Sequence, residues 1–191
     1  MKNSTVWNSM LSKLPSFLDE IEKYIKELEI LEKVKLLQSD HLALRFKNID
    51  DVKKIEEELN ENNKIISSAI INGRKILIFE LIDPLKFNDW QINYVELPYP
   101  KENQKYPDGW EHIEFVIPSN AISLVSFKKD FEKYFPKLDI ENMINIGQYS
   151  ESFPIKDPEI KELPNPTISL QKKLGLTIKF HPKSIKEIVG Y

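Results

Sequence analysis

Two short stretches, Asp40-His41-Leu42-Ala43-Leu44-Arg45-Phe46 and Glu111-His112-Ile113-Glu114-Phe115-Val116-Ile117, open on the same three kinds of residue: an acid, a histidine and an aliphatic. Each is short and apolar enough to be a strand, and each is followed by a helical pattern. In the first case Asp50 caps a helix carrying Val52, Ile55 and Leu59; in the second Ser119 or Asn120 caps one carrying Ile122, Val125, Phe127 and Phe131. Strand and helix in the same order, twice, imply an internal repeat.

The remainder of each half extends the parallel. After the first helix come apolar runs at 65–71 and 75–82, separated by Asn72-Gly73, a pair that favours a type I′ hairpin. A further strand at 90–97 ends at Pro98. In the second half a proline-rich stretch at 153–166 precedes a short strand at 167–170, a turn at Gly175 and a strand at 176–181 that Pro182 stops. The plan of each half is therefore strand, helix, then strands, which makes the chain α+β.

Ahead of this repeat, Trp7, Leu11, Leu14, Leu18, Ile21, Ile25, Leu28 and Leu31 recur at helical spacing. Pro15 suits the first turn of a second helix, so residues 1–36 read as a two-helix extension, either a lid on the domain core or a partner-binding or dimer-forming surface. Residues 37–191 form the domain proper, with modules at about 37–105 and 106–191.

Bulk composition narrows the function. The 191 residues carry 27 basic and 30 acidic side chains, a net charge of -3 that disfavours nucleic acid as a partner. With no cysteine, disulfides, thiolate nucleophiles and cysteine-bound zinc or iron–sulfur centres are excluded. No stretch reaches the length of a membrane span and the amino terminus lacks the apolar core of a secretory signal, so a cytoplasmic protein with no membrane partner is expected, as monomer or homodimer.

The chain has three histidines, and each falls on an expected strand: His41 and His112 open theirs, and His181 closes the last. Imidazole with carboxylates suits zinc, manganese, iron or nickel, and any metal here must be held by such groups. Alternation places His41, Ala43 and Arg45 on one strand face, and His112, Glu114 and Val116 on another, so each histidine shares its face with a charged residue. Glu96, just before the proline that ends its strand, needs a metal, a cation or water as partner. Aligning the two strand-ending prolines matches His181 with Leu97 and leaves the correspondence one residue out of step.

Around this set lie further candidates. Arg45 and Glu114 could orient the site or bind an anionic substrate, or form a salt bridge between neighbouring strands. Glu80 could face the cavity or lie in solvent at an edge. Lys179 could clamp an anion or lie on the rim. A tight turn at Asp108-Gly109 delivers Trp110 with His112 to the mouth of the sheet, where Trp110 could stack on a ligand or else plug the core.

These segments together resemble the YecM-like proteins of the vicinal-oxygen-chelate superfamily, which includes glyoxalase I and extradiol dioxygenases. The resemblance is carried by Asp40-His41 with Leu44-Arg45, Ile71-Asn72-Gly73-Arg74, Val95-Glu96-Leu97-Pro98, Gly109-Trp110-Glu111-His112-Ile113-Glu114, Leu163-Pro164-Asn165-Pro166-Thr167 and Thr177-Ile178-Lys179-Phe180-His181-Pro182, followed by Ser184-Ile185 and Glu187-Ile188-Val189. It implies two βαβββ modules forming a curved, incomplete barrel around a metal site. It carries over His41, Glu96 and His112 as ligands, with His181 or Glu114 as the fourth. The function it implies is divalent-metal binding, with isomerase, lyase or dioxygenase chemistry on a small oxygen-bearing substrate and Glu96 or Glu114 as proton carrier. The alternative is a non-catalytic module that binds a small molecule or a protein.

Overall fold

A computed structural model describes residues 5–71, 73–101, 106–138 and 164–190. Its elements run α1 (Val6–Glu27), α2 (Leu31–Val34), β1 (Gln38–Arg45), α3 (Ile49–Asn62), β2 (Lys64–Ile71), β3 (Arg74–Phe87), β4 (Trp90–Pro98), β5 (Gly109–Val116), α4 (Leu124–Tyr134), β6 (Ile168–Lys173), β7 (Leu176–His181) and α5 (Ile185–Ile188). The strands make one curved, unclosed seven-stranded sheet in the order β2-β3-β4-β1-β5-β7-β6. β1 and β5 meet antiparallel at its centre, and each is flanked by a parallel partner, β4 for β1 and β7 for β5. The expected α+β arrangement of paired modules is present; most of the proline-rich stretch, 153–163, lies outside the described residues.

Alternation divides the side chains between two faces. Leu77, Phe79 and Leu81 of β3 join Leu42, Leu44, Val95, Ile113, Phe115, Ile178 and Phe180 in the main core, beneath α1, α3 and α4. Ile76 and Ile78 point the other way and pack with Tyr94 and with Ile185 and Ile188 of α5. The histidines share this second face. The β2–β3 hairpin closes between Ile71 and Arg74 with Gly73 at φ +76°, a left-handed conformation that favours glycine; Asn72 lies outside the described residues.

Three sequence-based expectations require correction. Pro15 does not begin a second helix but sits inside α1, on its exposed side. Its missing amide and ring clash cost about 3 kcal/mol. Burial of Leu18, Ile21 and Ile25, each contributing about 1.5–3 kcal/mol, outweighs that cost and keeps the helix continuous. The same burial places Met10, Leu14, Leu18, Ile21 and Ile25 of α1 in the main core. The caps also differ: Asn48 rather than Asp50 caps α3, and Ser123 caps α4, while Ser119 bonds Asp130 instead. Because α4 starts later than expected, Ile122 and Val125 are exposed, while Phe127 and Phe131 remain in the core.

Phe180 is packed among Phe115, Phe131 and Phe135 at ring-centre distances of 5.9, 5.3 and 5.3 Å, and anchors β7 to α4. Phe180→Ala should therefore lower the unfolding free energy by about 3–5 kcal/mol in a urea titration.

Candidate metal centre

The site begins with two irregularities of the central seam. Pairing runs Ser39 with Phe115 and then His41 with Glu114, so Asp40 is an extra residue on β1; it runs Ala43 with His112 and then Leu44 with Trp110, so Glu111 is an extra residue on β5. Each bulge lies at the acid that precedes a histidine. A bulge turns consecutive side chains toward one face where regular pleating would oppose them. Asp40 thus reaches the His41 Nδ1 at 2.9 Å, and Glu111 reaches the His112 Nδ1 at 3.0 Å.

Both acids are themselves held. The Ile185 amide at the start of α5 donates to the two oxygens of Asp40 at 3.1 and 2.9 Å, and the Arg45 guanidinium pairs with Glu111. With each Nδ1 engaged, the Nε2 atoms turn inward. His181 is held similarly, its Nδ1 donating to the Lys183 carbonyl at 2.6 Å, which leaves the Nε2 lone pair available in the neutral ring.

Glu114 lies where the three rings converge. Its Oε1 is 3.3 Å from the His41 Nε2 and 3.0 Å from the His112 Nε2, and its Oε2 is 3.3 Å from the His181 Nε2. Two overlapping groups have donor atoms near enough to hold one ion: His41, His112 and Glu114, and Asp40, His41 and His181. Metal–ligand bonds of about 2.1 Å at tetrahedral to octahedral angles separate neighbouring donors by about 3–3.5 Å, the range of the three Glu114–histidine separations. Among the described residues the buried Nε2 atoms of His41 and His181 make no well-formed hydrogen bond and face carboxylate oxygens at 3.3–3.5 Å.

The charges are strongly coupled. Burial works against protonation of His41, but the Glu114 charge and the Asp40 hydrogen bond prevail and raise its pKa to about 10. Glu114 is opposed by burial too, yet Lys179 and His41 hold its carboxyl well below the usual range. Lys179 is raised in turn: burial lowers it, and Glu114 and Glu96 more than compensate.

Other expected site residues are placed differently. Glu96 is buried on the histidine-bearing face, but it pairs with Ala43, one row from His41, and joins neither donor group. Lys179 is not on the rim: its ammonium lies 2.8 Å from Glu114 and 3.1 Å from the His112 Nε2. Trp110 lies on the other face, because the bulge at Glu111 separates it from His112. It donates to the Met10 carbonyl at 2.8 Å and packs edge-on against Trp7 under α1. Glu80 is half-buried beside Tyr94 and joins neither donor group. Arg45 takes the interstrand salt bridge and also lies over the Tyr106 ring. Asp40 and Glu111 were missing from the sequence-derived site; their shared place before each histidine was the available signal.

Residues 7–191 match the model of the YecM protein family. The chain belongs to that family. Protein YecM of Escherichia coli K12 is 30% identical over 94% of this chain and 90% of its own length. An uncharacterized protein of Haemophilus influenzae Rd is 34% identical over 93% of this chain and 91% of its own. A solved structure described as structural genomics protein EC4020 superposes with a TM-score of 0.73, at 30% identity over 95% of this chain and 90% of that one.

The Arg45–Glu111 pair gives a pH prediction for metal-free protein. Burial opposes the Glu111 charge, but His112 and Arg45 lower its pKa from 4.5 to about 2. Its stabilisation is therefore present above about 4.5 and lost as pH falls through about 2. Arg45→Met should be about 1.5–3 kcal/mol less stable near neutrality, with the difference closing toward the acid end of a series of denaturant titrations.

Proposed function

We propose that this protein binds one divalent metal ion through His41, His112, His181 and Glu114, as a vicinal-oxygen-chelate-type protein acting on a small oxygen-bearing substrate. The observation that carries the reading is the convergence of three Nε2 atoms on one carboxylate, with Nδ1 of His41 and His112 held by acids. Such carboxylate–histidine pairs fix ring orientation and make the free nitrogen a better donor. A bound zinc, manganese, iron or nickel ion would supply Lewis acidity toward two neighbouring oxygens of a chelated substrate.

The protein's own groups divide the remaining work. Glu114 is held too acidic to take up protons readily and serves as ligand. Glu96, buried on the same face outside the donor groups, is the carboxylate left to carry a proton in isomerase, lyase or dioxygenase-like chemistry. Asp40 and Glu111 orient the rings, and Arg45 keeps Glu111 charged rather than binding substrate. A charge-balanced network without a metal is the second reading, favoured by the Lys179–Glu114 ion pair. It goes with a non-catalytic binding module.

Metal content after purification without a histidine tag, followed by zinc, manganese, iron(II) and nickel titrations, distinguishes the readings. Stoichiometric binding of one ion is expected; no affinity in folded protein would leave only the metal-free network. His41→Ala, His112→Ala and Glu114→Gln should each weaken binding by at least about tenfold, and Asp40→Asn and Glu111→Gln by about tenfold to a hundredfold. Glu96→Gln should change it by less than about threefold, and an effect as large as that of Glu114→Gln would restore Glu96 to the ligand set.

A further inference from the structure

The register of the two modules assigns Lys179 an unexpected equivalent. His41 pairs with Tyr94 across the parallel β1–β4 ladder, and His112 pairs with Thr177 across β5–β7. Two residues further along those strands stand Glu96 and Lys179. The proline-based alignment is therefore displaced: His181 corresponds to Pro98, and the structural counterpart of Glu96 is a lysine.

That lysine does not point away. Its ammonium contacts Glu114 Oε1 at 2.8 Å and the His112 Nε2 at 3.1 Å. An ammonium has only donors, so it occupies one lone pair of Glu114 Oε1 and the single Nε2 lone pair of His112. An ion and Lys179 cannot share that imidazole lone pair. Like-charge repulsion adds to the exclusion, because a divalent cation and an ammonium about 3 Å apart in a buried site oppose one another strongly.

We propose that Lys179 is a built-in competitor for the metal, occupying its donor atoms in the empty site and leaving them as the ion enters. The inference rests on the metal-binding reading above. The alternative partner is Glu96, which is buried on the same face across β1 and β5 and whose charge acts on the ammonium. An exchange between Glu114 and Glu96 keeps the lysine paired in both states. It makes the site stable without metal and its loading reversible, and it brings a cation beside any anionic oxygen of a bound substrate.

Zinc binding to the full-length protein, measured by calorimetry, tests this with Lys179→Met and Lys179→Gln. Both variants should bind zinc at least about tenfold more tightly than wild type, and metal-free Lys179→Met should melt lower than wild type and gain more on zinc addition. Equal or weaker zinc affinity in both variants, beside measurable wild-type binding, overturns the competitor role and leaves the metal site standing. Absence of zinc binding in wild type and both variants overturns both. Should the variants fail to fold, NMR of the Lys179 side chain in wild type reads the same exchange: saturating zinc should shift its ε-methylene resonances as the ammonium leaves Glu114 and His112, and unchanged resonances in zinc-loaded protein reject the proposal.

Discussion

The antiparallel β1–β5 seam, with one bulge on each strand, is the constraint on which the rest of the site depends. In regular pleating Asp40 and Glu111 would point into the core beneath α1, α3 and α4, where an ionised carboxylate is prohibitively costly. One extra residue per strand brings both acids to the side of the histidines. The same local change resolves three problems. It gives each acid a hydrogen-bonding partner, fixes each ring by its Nδ1, and frees the Trp110 side of β5 to pack under α1.

Charge balance explains why so polar a cluster can be buried in metal-free protein. Asp40, Glu111 and Glu114 bring three negative charges into a region from which water is largely excluded. Glu111 is paired by Arg45, Glu114 by Lys179, and Asp40 is satisfied by the Ile185 amide and His41. Burial of such pairs gives little net stability once desolvation is counted, so the arrangement is not a device for folding. The Nε2 atoms of His41 and His181 meet Glu114 only at 3.3 Å, outside well-formed hydrogen-bond geometry. A buried cluster of this composition has the donor types and spacing that could hold a metal ion.

Much of the fold was legible because it depends on patterns that survive in sequence: alternation, helical spacing, the Asn72-Gly73 turn and the repeated acid–histidine pair. The order of strands after each helix followed from them. Bulges leave no such trace. Alternation groups Glu114 with His112 but gives no place to Asp40 and Glu111, since one added residue inverts every facing beyond it, and Trp110 takes the core-plugging alternative. The proline alignment failed for a related reason, because Pro98 and Pro182 mark strand ends and not equivalent positions along the ladder. For Lys179 the sequence leaves an anion clamp and a rim position open; the register against β5 brings it between Glu114 and His112.

The site also depends on the far end of the chain. The first acid of the cluster, at position 40, is satisfied by an amide at position 185. The cluster that includes Tyr94 and Ile78 is covered by Ile185, Ile188 and Val189 of the same carboxyl-terminal segment. Bringing segments so far apart together costs loop-closure entropy. Asp40 has its place beside His41 fixed by the Ile185 amide at the start of α5. The reading from the first module alone would supply a histidine with an unsatisfied acid beside it; the second module supplies the counter-ring, the central carboxylate, the competing ammonium and the amide that completes the first histidine's support. The donor set is thus a property of the paired modules and of neither half alone.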